Sequence, residues 1–311
     1  MTAGGLAVPA FSHPPPRALT STVVEPAQCT HLPSDGLPMD PHVLAMYLSR
    51  LGMDGMPTPT LATLAQLQAR HNACFPFETL TTLLRDAVAI DLPSVQHKLL
   101  QEGRGGYCYE LNGMFLALLH AVGFDARAIS ARVVMGQTTD TATPRTHMLV
   151  LVRNEGVEYI ADVGFGGTTP TGPLRLDHRF AQATPHARYR LDLQSPYYLL
   201  QVQIGGEWRP LYRFDLAVQE PVDHVLGNWY VCTHPASSFP GQLRAALAGP
   251  GWRRTLGAGV YSVHRIGQPS ERRPLADVQD VLTVLRDAFG ITVPTHPRLH
   301  AAIAAWLRGV A

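Results

Sequence analysis

The stretch Arg104-Gly105-Gly106-Tyr107-Cys108-Tyr109-Glu110-Leu111-Asn112 sets a cysteine directly behind a glycine turn. From Cys108 to Val122, Leu111, Phe115, Leu118, Leu119 and Val122 repeat at helical spacing, and Gly123 supplies a terminator. Cys108 is therefore expected at a helix N-terminus, where unpaired N–H groups and the helix dipole favour an anion. An ordinary thiol is mostly protonated at neutral pH. A helix N-terminus with an imidazolium beside it stabilises the thiolate, which is the nucleophilic form. The competing reading is a core cysteine that follows a turn.

A histidine and a carboxylate stand further along. The run His147–Val152 is followed by Arg153-Asn154-Glu155-Gly156 and then by Val157–Asp162. If those four residues form the hairpin loop, Val152 faces Val157 and His147 falls directly opposite Asp162. Side chains so paired have Cβ atoms about 4.5–5.5 Å apart, close enough for a carboxylate to fix an imidazole tautomer and stabilise its cation. A slip of one residue would send the two to opposite faces, and a surface His–Asp pair is the plainer reading. Cys108, His147 and Asp162, in that order and spaced by 39 and 15 residues, fit the general requirement for a nucleophile, a base and a group that orients the base. Other nucleotide, hydrolase and metal motifs do not occur: there is no GxSxG, no GxxxxGK[ST] and no HExxH. Gly164-Phe165-Gly166-Gly167 reads as a turn beside Asp162, not as a dinucleotide loop.

The elements that must hold these residues change character along the chain. Asp40-Pro41 caps a first helix ending near Gly52, and Thr60 opens a second. A third is expected from about Pro93 to Gly103, and the Cys108–Val122 helix is the fourth. From Ala126 the period becomes two, with strands expected at Ala128–Met135, His147–Val152, Val157–Asp162, Ala187–Leu193, Tyr197–Ile204 and Glu207–Phe214. Consecutive hairpins imply an antiparallel sheet or small barrel. Short strands near Gly259–Ile266 and helices around Leu275–Phe289 and His296–Leu307 follow. Helices, then antiparallel strands, then a mixed end make an α+β architecture.

Composition narrows the function class. With 311 residues the chain can hold two or three modules, and its net charge of +1 provides no field for nucleic acid or an anionic membrane. Cysteines stand at 29, 74, 108 and 232, without CxxC or zinc spacing, so no metal is expected and a reducing cytoplasm suits the chain. The longest uncharged apolar run, Leu111 to Phe124, is too short to cross a bilayer. Residues 1–38 are rich in Pro, Ser, Thr and Gly, and read as a disordered extension or the product of a start codon placed too early.

At these residues the chain resembles the arylamine N-acetyltransferases. The resemblance rests on RGGYCYELN at 104–112, RTHMLVLV at 145–152 and the turn Asp162-Val163-Gly164-Phe165-Gly166. It extends to Tyr47-Leu48-Ser49-Arg50-Leu51-Gly52, Phe75-Pro76-Phe77-Glu78-Thr79-Leu80, and Gly227-Asn228-Trp229 with Ser238-Phe239, spanning about residues 39–290. Thr79 stands where the family often has asparagine. The resemblance implies an N-terminal helical bundle (39–125) carrying the nucleophile, an antiparallel β-barrel (126–226) carrying His and Asp, and a C-terminal α/β lid (227–311), with a cysteine-protease-like core. It implies Cys108 as nucleophile, His147 as base and Asp162 as orienter, and a ping-pong reaction through an acetyl-cysteine. Acetyl-CoA would be the donor, and arylamines, arylhydrazines or hydrazides the small-molecule acceptors. By the same route Phe77, Phe165 and Phe239 are candidate acceptor-pocket residues, and Arg104 pairs with Glu78 to brace the loop. Rival readings are an amide synthase of the same family, a papain-like or transglutaminase-like cysteine hydrolase, and a binding module with a relict site. The sequence leaves oligomeric state open.

Overall fold

The structure, a computed structural model, describes residues 39–310; the expected N-terminal extension lies outside the described residues. Asp40 caps α1 (Pro41–Arg50), its carboxylate accepting the His42 N–H at 2.8 Å. Thr60 caps α2 (Leu61–Cys74), its hydroxyl accepting from the Thr63 N–H at 3.2 Å. Then come β1 (Phe77–Glu78), a single turn α3 (Leu80–Leu83) and α4 (Leu92–Gln96). Helix α4 runs on as a π-turn, His97–Gln101, before Gly103 leaves the helix at φ +65°. The expected third helix is thus one helix with a widened last turn. The helix α5 (Cys108–Val122) has the expected bounds, and Gly123 ends it in the left-handed region at φ +98°. Its side chains Leu111, Met114, Phe115, Leu118 and Leu119 are wholly buried. At about 1.5–3 kcal/mol for each large apolar side chain removed from water, α5 is firmly anchored in the first core.

Eight antiparallel strands follow: β2 (Asp125–Val133), β3 (Arg145–Asn154), β4 (Val157–Ala161), β5 (Leu174–Arg175), β6 (Gln182–Ala183), β7 (Arg188–Gln194), β8 (Tyr197–Ile204) and β9 (Glu207–Phe214). Their order is β5-β4-β3-β2-β9-β8-β7-β6. The two end strands, too short to show a period-two pattern in sequence, meet through one side chain. Gln182 accepts the Arg175 N–H at 2.8 Å and donates to the Arg175 carbonyl at 2.9 Å, imitating a ladder rung and nearly closing the barrel. Ile129, Leu149, Leu151, Ile160, Leu200 and Tyr212 fill its interior.

The third region contains α6 (Pro221–Thr233), β10 (Ala245–Gly249), β11 (Trp252–Gly257), β12 (Val260–Arg265), β13 (Glu271–Pro274), α7 (Val278–Asp287) and α8 (Leu299–Val310). The boundary expected between 226 and 227 falls inside α6, which Glu220 caps. The helix escaped sequence reading because its apolar residues point outward. Val222, Leu226 and Trp229 are exposed, whereas His224 and Asn228 are buried with Val231 and Cys232. Strand β1, from the first region, hydrogen-bonds onto β10 (Phe77 opposite Ala246) and ties the region of the nucleophile to the third region's sheet.

Candidate active site

Cys108 is the first residue of α5 and 5% exposed. The loop before it is stitched to β1: the Glu78 N–H donates to the Gly106 carbonyl at 2.9 Å, and the Gly106 N–H to the Pro76 carbonyl at 3.2 Å. A Cβ on Gly105 would collide with the Pro76 carbonyl, so the close approach requires glycine there. At the helix start, Glu110 accepts the Tyr107 N–H at 3.0 Å.

Three buried charges and the partly buried Lys98 brace this turn. Arg104 donates to Glu78 Oε1 from Nε at 3.0 Å and from Nη2 at 2.6 Å, and the second Glu78 oxygen accepts the Leu80 N–H at 2.5 Å. Lys98 Nζ lies 2.5 Å from Glu110 and 3.8 Å from Glu78. Burial pushes the Glu78 carboxyl up, but Arg104 and Lys98 together hold it below the usual range. At Glu110 burial prevails over Lys98, with Glu78 adding, and its carboxyl is raised. Arg104→Met would leave Glu78 charged, buried and short of its main partner. The expected cost is about 3–5 kcal/mol, read as a fall in melting temperature. Adding Glu78→Gln to the same chain should recover part of it.

The expected register of His147 against Asp162 is corrected. The β3–β4 turn has two residues, Glu155 (φ +51°) and Gly156 (φ +77°), and Asn154 faces Val157. Two consecutive positive-φ residues match the right-handed strand twist better than a four-residue loop, and Arg153 reaches Glu158 across the strands at 3.3 Å. In this register Asp162, one residue beyond β4, is not directly opposite His147. Moving the pairing by two keeps both on one face, so they meet diagonally, with His147 Nε2 and Asp162 Oδ2 2.8 Å apart.

Asp162 is wholly buried, and four donors converge on its two oxygens. Oδ1 accepts from Asn112 Nδ2 at 3.0 Å and the Gly164 N–H at 2.9 Å; Oδ2 accepts from Tyr212 Oη at 2.9 Å and from His147. Burial alone would raise its carboxyl. The His147 charge and these donors hold it below the usual range. For His147, burial opposes the cation, but the Asp162 charge and hydrogen bond override it and Cys108 adds to them. The ring is pushed up to about 10, which makes it an imidazolium at neutral pH. Phe165 and Tyr212 hold it with ring centroids 4.9 Å away. The Cys108 sulfur lies 3.7 Å from the carbonyl of Thr146, the neighbour of His147.

Sequence reading missed three residues here. Asn112 also donates to the Met148 carbonyl at 2.7 Å and accepts the Val163 N–H at 2.9 Å, joining α5, β3 and the turn after β4. Its i+4 spacing from Cys108, which places both on one helix face, was a usable signal. Tyr212 arrives from β9, and no local pattern announces it. Gly164 is the third: a Cβ there would stand 2.7 Å from Cys108 Cα and from Asn112 Nδ2. Neither atom can retreat, so Gly164→Ala should cost about 1–3 kcal/mol through overpacking. It should also displace the thiol from the ring, and the loss of turnover should exceed what the fall in melting temperature explains.

Phe165 covers His147, while Phe77 and Phe239 pack against the cluster that contains Tyr107, Cys108 and Tyr109. Thr79, the departure from the family pattern, donates to the Gln242 carbonyl at 2.8 Å and accepts the Arg244 N–H at 2.8 Å, fastening the Phe77 loop to the third region. Among the described residues no helix is long and apolar enough to cross a membrane.

Comparison with known proteins agrees in extent with this layout. The sequence profile of the N-acetyltransferase family matches residues 60–298. An arylamine N-acetyltransferase / N-hydroxyarylamine O-acetyltransferase of Salmonella typhimurium is 37% identical over 270 residues, covering 85% of this chain and 96% of the relative. The crystal structure of a Mycobacterium smegmatis arylamine N-acetyltransferase variant superposes with a TM-score of 0.82 at 37% identity, over 86% of this chain and 99% of that one. The Mycobacterium marinum arylamine N-acetyltransferase in complex with CoA gives 0.80 at 36% identity, over 84% and 98%.

Proposed function

The chain belongs to the arylamine N-acetyltransferase family, and we propose that it moves an acetyl group from acetyl-CoA to arylamines, arylhydrazines or hydrazides through an acetyl-cysteine at Cys108. The observation that carries this reading is the buried His147–Asp162 contact at 2.8 Å beside the thiol. The ring of His147 takes the proton from Cys108, and the resulting cation, stabilised by Asp162, leaves a thiolate beside it. The sulfur attacks the thioester carbonyl, and the C–S bond to CoA breaks. The departing CoA thiolate takes a proton, and His147 is the nearest source. One thioester has replaced another, so this half-reaction is close to thermoneutral. The acceptor nitrogen then attacks the acetyl-cysteine, the C–S bond to Cys108 breaks, and His147 receives the nitrogen's proton. An amide is formed from a thioester, which drives the second half.

The acceptor class follows from protonation. Alkyl amines titrate near pH 10, as lysine does, and reach the enzyme without a free lone pair. Arylamines, arylhydrazines and hydrazides titrate below neutrality and arrive unprotonated. Phe77, Phe165 and Phe239 offer the flat apolar walls that an aryl ring needs. A thiol only 5% exposed also keeps water from the acetyl-cysteine. In this reading the first region supplies the nucleophile, the barrel supplies base and orienter, and the region from Pro221 covers them. A persistent free thiol suits the cytoplasm.

Intact-mass analysis tests the proposal. Mixing with acetyl-CoA should add one acetyl group, mapped to Cys108, and an arylamine should remove it with appearance of the acetylated amine. Release of free acetate at the same rate with and without amine would mean a hydrolase instead.

A further inference from the structure

A second cluster of basic side chains lies away from Cys108, where the third-region sheet meets the barrel turn between β6 and β7. Arg253 of β11 and His264 of β12 face each other in register, so they share a face of the sheet. On that face Thr255 lies against Gly167, so it looks towards the barrel. The other face carries Leu256 into the core of α7 and α8. The β6–β7 turn closes over the cluster: the Gly251 N–H donates to the Pro185 carbonyl at 3.1 Å, and the next residue, His186, donates its N–H to Thr171 Oγ1 at 3.2 Å.

The chemistry of this cleft is one-sided. Arg253 is 9% exposed, and its Nη1 has no partner among the described residues; neither has the buried Nδ1 of His186. The strand positions flanking Arg253 on its other side, Ala246 and Ala248, are small and apolar. Arg253 and His264 act on His186, and Arg253 and Arg272 of β13 act on His264, all with charges of one sign. Tyr189, also close to Arg253, spends its hydroxyl on the Thr168 and Thr169 carbonyls at 3.0 and 2.9 Å. His264 is held by Ser270 at 2.6 Å and, like His186, is only partly buried, so the cluster meets solvent on its histidine side. A buried guanidinium without a counter-charge is costly unless an anion joins it.

The geometry points to a binding site for a small inorganic oxyanion of the phosphate type, held by Arg253 at the base of the cleft and by His186 and His264 at its rim. The fork of Arg253 suits two oxygens of such an ion, and the His186 Nδ1–H supplies a further donor. The ion clamps the third-region sheet to the barrel turn at a place that touches neither acetyl transfer nor Cys108.

The test uses the full chain and inorganic phosphate, at constant ionic strength in a buffer whose only other anion is bulky. Wild-type melting temperature should rise saturably with phosphate, as for any ligand that binds the folded form alone. Arg253→Met should melt at or above the wild type without phosphate, because it removes an unpaired buried charge, and below it with phosphate, so the two curves cross. His186→Ala should weaken the phosphate response without abolishing it. Crystals soaked in selenate should show an anomalous peak within hydrogen-bonding reach of Arg253 and His186. Parallel melting curves for wild type and Arg253→Met, or water alone at that position at saturating selenate, would overturn the assignment.

Discussion

Cys108→Ser should abolish acetyl transfer, by roughly 10⁴-fold or more as for loss of other activated nucleophiles, while the melting temperature barely moves. The two expectations have separate causes. Serine is close to cysteine in size and shape, and the sulfur's oriented contacts, with His147 and with the Thr146 carbonyl at 3.7 Å, are ones a hydroxyl can also make. The stability change should lie within about 1 kcal/mol. Reactivity, by contrast, depends on an anion. An imidazolium beside a thiol yields a thiolate, but a hydroxyl is far too weak an acid for the same ring to ionise it. Turnover with arylamine and acetyl-CoA, set beside a thermal melt, separates the two. Appreciable turnover by the folded variant would remove Cys108 from the chemistry.

What the sequence disclosed about this site depended on the range of the interactions involved. Helix α5 was legible to the residue because everything that defines it is local: the glycine turn, the 3.6-residue apolar repeat and the terminator Gly123. The His147–Asp162 encounter was legible in its face and not in its register. A period of two reports only whether positions are odd or even, and the turn type, set by Glu155 and Gly156 taking positive φ, decided the rest. Tyr212 and the pairing of β1 with β10 were out of reach, since Tyr212 stands 50 residues beyond Asp162 and Ala246 stands 169 beyond Phe77. Helix α6 was hidden for another reason. Its outward Leu226 and Trp229 and inward His224 and Asn228 reverse the usual pattern, so hydrophobic periodicity points the wrong way. The Arg104–Glu78 contact was suggested by resemblance alone, and the part played by Lys98, the only lysine in the chain, had no local sign.

Asp162→Asn should slow alkylation of Cys108 by iodoacetamide at pH 7 by roughly 10²–10⁴-fold, the range spanned by loss of an acid–base partner or of the group that orients it. In the native protein the ring of His147 is raised above its usual 6.5 to about 10. Its contribution is therefore complete below about pH 6.5 and fades as pH rises through 10. The Asp162 carboxyl is depressed below 3.8, so its contribution is present above that value and is lost as pH falls below it. The ion pair thus holds across the whole neutral range. Without the carboxylate charge, burial acts on His147 against Cys108 alone and lowers it, so the ring is neutral at pH 7 and the thiol keeps its proton. Alkylation in the variant should recover as pH rises and hydroxide removes that proton. The amide has a second effect: four donors converge on two oxygens, and replacing one oxygen with NH₂ sets donor against donor, at about 1–3 kcal/mol. A lower melting temperature alone would reflect only that steric and polar conflict. The pH dependence of alkylation is what separates charge from packing, and a rate at pH 7 equal to that of the wild type would show that the thiolate owes nothing to Asp162.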